Sequence, residues 1–178
     1  MNVKICVAGK ICSGKSTLAN QIARQVECPL VSFGGVIRHY SERNKLPFGR
    51  RDLQELGKQL IDQLGFEDFL EWIIKESSID WSQPLVLDGL RHVKIYGHMA
   101  KKFPNTILVY CDCDEETQIV RLRTRDGICR EIAKQIISHA TESGVEDLRA
   151  IAHMVFQPHF VLDEFLREFK NLISRMRE

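Results

Sequence analysis

The chain has 178 residues, of which 44% are apolar and 28% are charged, values that are ordinary for a globular protein with a buried core. They exclude wholesale disorder, a collagen-like repeat and a coiled-coil rod. The chain holds 25 basic and 24 acidic residues, and the resulting net charge of +1 favours neither nucleic acid nor an anionic membrane as a partner. The apolar runs are too short for a membrane-spanning helix, and the one at the start is too short for a signal peptide.

The six cysteines are scattered along the sequence. Cys111 and Cys113 form the only close pair, and no second pair of cysteines or histidines completes a zinc site. Free thiols are typical of a reducing compartment, so we expect a cytoplasmic protein. The sequence does not indicate the oligomeric state.

Short apolar runs predict the strands. They lie at Val3–Ala8, Leu30–Ser32, Leu85–Leu87, Thr106–Cys111 and Met154–Phe156. Since these runs lack polar alternation and are separated by helical patterns, they predict an α/β fold with a five-stranded parallel sheet and helices on both faces. Ligands of such sheets bind beyond the carboxyl ends of the strands, and Asp88-Gly89 is predicted to end the third strand there.

Apolar residues at intervals of three and four predict the helices. These patterns cover residues 18–26, 53–64, 66–74, 119–122, 132–140 and 165–176. Gly65 is predicted to end the second of these helices.

The segment from Gly9 to Ser16 matches the Walker A pattern G-x-x-x-x-G-K-[ST] in full and lies between a predicted strand and a predicted helix. Such a loop turns successive N–H groups toward phosphate oxygens. We expect Lys15 to reach the β- and γ-phosphates and the Ser16 hydroxyl to bind Mg²⁺. The pattern thus predicts an ATP site formed by Gly9, Cys12, Ser13, Gly14, Lys15, Ser16 and Thr17.

Other candidate residues follow the later strands. Asp88 comes after the third strand, where a carboxylate can orient Mg²⁺-bound water, with an ordinary Asp-Gly turn as the alternative. Arg38 and Arg91 lie shortly after the second and third strands, and the spacing of Arg121 and Arg125 puts both on one helix face. Because a guanidinium fork suits phosphate oxygens, four arginines near one predicted phosphate site indicate phosphoryl transfer.

In their order along the chain, these motifs resemble those of P-loop nucleoside monophosphate kinases, a group that includes adenylate kinase, deoxynucleoside monophosphate kinase and dephospho-CoA kinase. The resemblance rests on Walker A at 9–16, Ser32-Phe-Gly34-Gly-Val-Ile-Arg38, Asp88-Gly-Leu-Arg91 and Arg121-Leu-Arg-Thr-Arg125. It implies a three-layer P-loop NTPase fold with a helical acceptor-binding insertion. It further implies that Gly34, Arg38 and Arg91 bind the acceptor, and that Arg121 and Arg125 close over the transferring phosphoryl group as catalytic residues with Lys15 and Arg91.

Two further stretches carry the same resemblance. Arg51-Asp-Leu-Gln54-Glu-Leu-Gly57 is similar to an R-x-x-Q-x-x-G stretch of deoxynucleoside monophosphate kinases, which implies that Arg51 and Gln54 bind the acceptor. His139-Ala-Thr-Glu142 resembles an H-x-x-E near the end of that group, with a helix-face histidine as the alternative. Phe33 and Gly35 stand where the family usually has Thr and Asp. These differences concern which nucleobase the acceptor carries.

The sequence therefore predicts one P-loop kinase domain over residues 1–178, with a helical acceptor region at about 35–80 and a short lid at about 121–135. The predicted activity is transfer of the γ-phosphoryl group of ATP, with Mg²⁺, to a nucleoside or deoxynucleoside monophosphate. A hydroxyl acceptor commonly needs a carboxylate base near the end of the second strand, and Ser32-Phe-Gly-Gly offers none.

Two alternatives stay open. One is transfer to a hydroxyl, as in dephospho-CoA kinase, and the other is a nucleotide-binding regulatory switch. The guanine motif N-K-x-D of GTPase switches is absent from the sequence. We expect small-molecule nucleotides as partners, and neither nucleic acid nor a membrane.

Overall fold

The computed structural model describes residues 2–138, 144–157 and 161–175. Its strands are β1 (Lys4–Ala8), β2 (Leu30–Ser32), β3 (Leu85–Leu90), β4 (Thr106–Cys111) and β5 (Met154–Phe156). They form one sheet in the order β2-β3-β1-β4-β5, and every pair of neighbours is parallel. The predicted five-stranded parallel sheet is confirmed.

Helices connect the strands within the described ranges. They are α1 (Lys15–Gln25), α2 (Phe33–Arg43), α3 (Arg50–Glu76), α4 (Val93–Lys102), α5 (Glu115–Asp126), α6 (Arg130–Ile137), α7 (Asp147–Ala150) and α8 (Leu162–Arg175). Gly65 interrupts α3 with φ 77° and ψ 172°, which confirms the predicted end of a helix at this glycine. None of the described helices is both long and apolar enough to cross a membrane.

The sheet is covered on both faces, which makes three layers. Successive side chains of a strand point to opposite faces, and those of β1 accordingly enter two separate apolar clusters. Ile5 and Val7 pack with residues of α1 and α8, whereas Cys6 and Ala8 pack with residues of α2, α3 and α4. All four side chains are fully buried, as expected for a central strand of a parallel sheet.

Strand β3 extends further than its sequence predicts, because it continues through Asp88-Gly89 instead of ending there. Val7 of β1 pairs with Asp88, but the next residue, Ala8, pairs with Leu90, so that Gly89 is an extra residue in a β-bulge, at φ 92°. Leu90 packs in the cluster opposite to that of Val86. The bulge thus leaves Asp88 on the α1 side of the sheet while Leu90 packs on the other side.

Gly9 follows β1 at a point where no side chain fits. A Cβ atom there would lie 2.5 Å from the backbone oxygen of Cys111 and 2.8 Å from Ser13 Oγ, at φ +148°. We expect Gly9→Ala to lower the free energy of unfolding by about 1–3 kcal/mol, because it adds backbone strain and a clash with β4. Urea denaturation followed by circular dichroism measures this change.

Gly97 in α4 is the matched control. No described atom lies within 4 Å of its Cβ position. Alanine favours a helix interior over glycine by about 1 kcal/mol, so Gly97→Ala should raise the free energy of unfolding. Equal stability of the two variants would contradict the proposed crowding at Gly9.

Candidate functional site

The loop between β1 and α1 borders a cavity of about 1280 Å³ at the carboxyl edge of the sheet, and residues 11–18 line it. The loop curls back on itself, since the Ser13 amide donates to the Lys10 carbonyl at 3.2 Å and Cys12 and Gly14 adopt positive φ angles of 57° and 98°. Helix α1 begins directly after Gly14. The amino end of this helix favours negative charge, so loop and helix together suit phosphate.

Lys15 is the cation nearest to the centre of the loop. Its Nζ donates to the Lys10 carbonyl at 3.1 Å. Burial and, secondarily, the charge of Arg91 lower the pKa of Lys15 to about 8, while the Asp88 carboxylate opposes this shift. A bound phosphate would supply the compensating negative charge and favour the protonated amine.

Ser16 and Asp88 fit a magnesium site. The Ser16 hydroxyl donates to Asp88 Oδ2 at 2.7 Å. Asp88 is 7% exposed, and its second oxygen, Oδ1, has no hydrogen-bond partner among the described residues. Mg²⁺ in phosphoryl-transfer sites keeps several waters and needs only one or two protein oxygens besides the phosphates. This pair therefore suffices, although the described residues hold no group of three or more acidic, histidine or cysteine ligands.

Arg121 lies against the phosphate loop from the side of α5. Its Nη1 donates to the carbonyl oxygens of Cys12 at 3.2 Å and of Ser13 at 3.0 Å. A Cβ atom on Gly14 would lie 3.6 Å from the same nitrogen, which is ordinary contact distance, so the guanidinium packs directly against the loop at Gly14. The loop backbone thus holds Arg121 beside the place predicted for the ATP phosphates.

Arg125 and Arg50 share a carboxylate at the edge of the cavity. Arg125 Nε and Nη2 donate to the two oxygens of Asp126 at 2.6 and 3.0 Å, and Arg50 Nη1 reaches Asp126 Oδ2 at 3.0 Å. Because Arg50 begins α3 and Asp126 ends α5, these ion pairs join the predicted acceptor region to the predicted lid. Arg123 does not line the cavity, as its position between Arg121 and Arg125 predicts.

The remaining arginines follow β2 and β3. Arg38 lines the cavity from the second turn of α2, which begins at Phe33, and its Nη1 donates to the Phe48 carbonyl at 3.4 Å. Arg91 also lines the cavity, and burial lowers its pKa while Asp88 opposes the shift. An arginine pKa begins far above neutrality, so Arg91 remains cationic.

Gln54 and Gly34 line the cavity, whereas Arg51 is not among the lining residues and its neighbour Arg50 is. Acceptor binding by Arg51 and Gln54 stays a prediction. Helix α3 begins at Arg50, where the Gly49 amide donates to Asp52 Oδ2 at 3.1 Å. From that start, residues 50, 54 and 57 fall on one helix face, whereas residue 51 is turned by about 100°.

Part of the cavity wall is apolar and partly aromatic. This part includes Phe33, Ile37, Leu53, Ile61, Phe66, Phe69 and Ile95 from α2, α3 and α4. His92 also lines the cavity, with its ring centroid 5.4 Å from that of Phe66. Sequence reasoning missed His92, although its position next to Arg91 was a usable signal. His139 and Glu142 lie outside the described residues.

The cavity is larger than the roughly 300–1,000 Å³ of a typical small-molecule pocket. Its lining combines two chemistries, since it includes the phosphate loop with its cations and an apolar wall. The volume and the contrast suit two ligands that both carry phosphate.

Residues 5–147 match the family model described as an AAA domain, which is most of the chain. The chain belongs to the AAA domain family. It is 26% identical to a UPF0200/UPF0201 protein of Archaeoglobus fulgidus over 97% of its own length, and it spans 55% of that relative. It is 23% identical to a dephospho-CoA kinase domain-containing protein of Danio rerio, over 96% of this chain and 83% of the relative.

Solved structures place this AAA-domain chain among proteins with a P-loop kinase-like fold. A gluconokinase from Sinorhizobium meliloti superposes with a TM-score of 0.60 at 17% identity, over 98% of this chain and 93% of that one. Likeness at this identity concerns the fold. Neither the Danio relative nor the gluconokinase is named as a nucleoside monophosphate kinase.

Replacing Lys15 tests the loop. Lys15→Ala should lower kcat/KM for ATP at least roughly 100-fold, the scale of one lost electrostatic contact in the transition state. The free energy of unfolding should not fall, because the change removes a buried cation. Steady-state ATP turnover and urea denaturation measure the two quantities.

Lys10→Ala is the matched control in the same loop. The Lys10 side chain pairs with Glu146 and does not line the cavity. Its carbonyl, which accepts from Lys15, is unchanged by the substitution. Near-normal turnover by Lys15→Ala, or equal losses in both variants, would contradict the assignment of Lys15.

Proposed function

We propose that the protein transfers the γ-phosphoryl group of ATP, with Mg²⁺, to the phosphate of a nucleoside or deoxynucleoside monophosphate. One observation carries this proposal: the phosphate loop, an apolar and partly aromatic wall, and Arg38 and Arg91 all line a single cavity. A planar base suits the wall, and a phosphate suits the arginines.

The acidic residues of the cavity favour a phosphate acceptor over a hydroxyl. Each carboxylate among the described lining residues already has a polar partner: Asp88 accepts from Ser16, Asp126 from two arginines, and Asp62 from Lys58 at 3.0 Å. A hydroxyl acceptor needs a base to take its proton, whereas a phosphate is ionised and needs only to be positioned.

The polar residues of the cavity lining have two roles in this proposal, which are substrate binding and electrostatic stabilisation of the transition state. Lys15 and the loop amides hold the β- and γ-phosphates, and Arg121 adds a positive charge beside them. Arg38 and Arg91 hold the acceptor's phosphate so that its oxygen faces the γ-phosphorus in line with the leaving oxygen. Arg125 leaves Asp126 to reach the transferring group. Ser16 and Asp88 would hold Mg²⁺, which neutralises developing charge on the phosphates when it is bound.

Transfer to a hydroxyl is the second candidate, and the likeness to a dephospho-CoA kinase domain-containing protein favours it. The regulatory switch has less support, because a switch needs no second cation cluster facing an apolar pocket.

A screen of ADP release distinguishes these functions. The purified chain is incubated with ATP, Mg²⁺ and one acceptor at a time, taken from ribo- and deoxynucleoside monophosphates, dephospho-CoA, gluconate and shikimate. We expect stimulation by at least one nucleoside monophosphate. Activity with dephospho-CoA or another hydroxyl compound alone would overturn the proposal, and slow hydrolysis that no acceptor stimulates would favour the switch.

Substitutions of Arg38 and Arg91 test whether acceptor binding can be weakened without weakening ATP binding. Replacing either with Ala should lower kcat/KM for the acceptor roughly 10- to 150-fold, because a charge-assisted contact is lost, and leave KM for ATP nearly unchanged. Lys should rescue only partly, since it lacks the planar fork.

Arg123→Ala is the control, because it removes a guanidinium that lies outside the cavity lining. A matrix of initial rates, with ATP and acceptor varied independently, measures all the variants. Equal losses of kcat/KM for ATP and for the acceptor would instead assign Arg38 and Arg91 to the ATP site or to folding.

A further inference from the structure

His92 occupies the N-cap position of α4 without capping the helix. Its backbone is extended, at φ −129° and ψ 127°, and its side chain makes no hydrogen bond to the first turn. The imidazole lines the cavity instead. Neither ring nitrogen bonds to another residue within the described part of the chain. The two nitrogens are therefore available to a ligand.

The imidazole is held in place by packing. Its ring centroid lies 5.4 Å from that of Phe66, with the ring planes at 54°. Phe66 follows the break at Gly65, and the Lys94 ammonium lies 5.1 Å from the Phe66 ring centroid. The ring is thus positioned by the backbone of His92 itself, just before α4, and by Phe66 in the second part of α3. A ring fixed in this way loses little conformational entropy when a ligand binds.

The charge of His92 differs from that of its polar neighbours in the cavity. Burial, and secondarily the positive charge of Arg91, lower the pKa of His92 below its ordinary value. A neighbouring cation disfavours the protonated ring. At neutral pH the imidazole is therefore uncharged, with one nitrogen that donates and one that accepts. Such a group suits a base edge or a sugar hydroxyl, whereas the arginines suit a phosphate.

We propose that His92 is a specificity-determining residue, which hydrogen bonds to the nucleoside part of the acceptor while Arg91 beside it binds the acceptor's phosphate. This inference rests on the proposed function. Arg91 and His92 thereby contact two different parts of the same acceptor molecule. The His92 imidazole has one nitrogen that donates a hydrogen bond and one that accepts. Nucleoside monophosphates that differ in base or sugar should therefore differ in KM.

The test compares three substitutions at His92 in the full chain. His92→Phe keeps a ring against Phe66 but removes both nitrogens, whereas Asn and Gln place an amide near the positions of Nδ1 and Nε2. For the best nucleoside monophosphate found in the screen, we expect His92→Phe to raise KM roughly tenfold, the scale of one lost hydrogen bond in a buried site. KM for ATP and kcat should stay within about twofold. Either Asn or Gln should restore most of the acceptor affinity and so identify the nitrogen in contact.

His98→Phe is the matched control. It makes the same substitution on α4, at a half-buried position that does not line the cavity and where His98 lies 3.5 Å from Glu67. We expect wild-type kinetics from it. Thermal denaturation of every variant separates loss of folding from loss of contact.

The outcomes separate this inference from the proposed function. If wild type phosphorylates no nucleoside monophosphate, the proposed function fails and this inference fails with it. If wild type is active but His92→Phe leaves every acceptor's KM unchanged, only the inference at His92 is overturned. A large fall in kcat with a hydroxyl acceptor would make His92 a general base, and equal losses for ATP and acceptor with a lower Tm would make it structural. Either result overturns the specificity role.

Discussion

The hydrogen bond between Ser16 and Asp88 ties the phosphate loop to the sheet, and the geometry of the site depends on it. Ser16 lies in the first turn of α1, and Asp88 lies on β3, the neighbour of the strand that leads into the loop. The bond forms only because Asp88 faces the α1 side of the sheet. Asp88 takes this orientation from the alternation of β3, two residues after Val86, and the bulge at Gly89 then turns Leu90 to the opposite apolar cluster.

The site concentrates positive charge in a protein whose net charge is only +1. Four cations of the cavity lining have acceptors within the protein: Lys15 and Arg121 donate to loop carbonyls, and Arg50 and Arg125 share Asp126. The carbonyl contacts are weaker partners than a phosphate, so the loop is stable alone and still favours an anionic ligand.

Much of this architecture could be predicted from the sequence. The apolar runs located the strands, and β2, β4 and β5 have the predicted bounds, because a buried parallel strand must be continuously apolar. Gly14, Lys15 and Ser16 could be placed because the loop's spacing is set by the phosphate it wraps. Arg50, His92 and the bulge were missed for a different reason. Where a helix begins, and which face its first residues present, depends on local contacts such as that of Gly49 with Asp52, which leave no periodic pattern.

The shared carboxylate of Asp126 makes phosphate binding an exchange of partners. Both Arg125 and Arg50 pair with Asp126 at the edge of the cavity, so this one carboxylate offsets part of their combined charge. An incoming phosphate that draws Arg125 away releases part of that carboxylate to water, where solvation offsets the lost ion pair. The net cost of recruiting Arg125 is therefore small. The same exchange leaves Asp126 to Arg50 alone, so the charge that helps to hold the substrate also removes the competitor of an ion pair that joins α3 to α5.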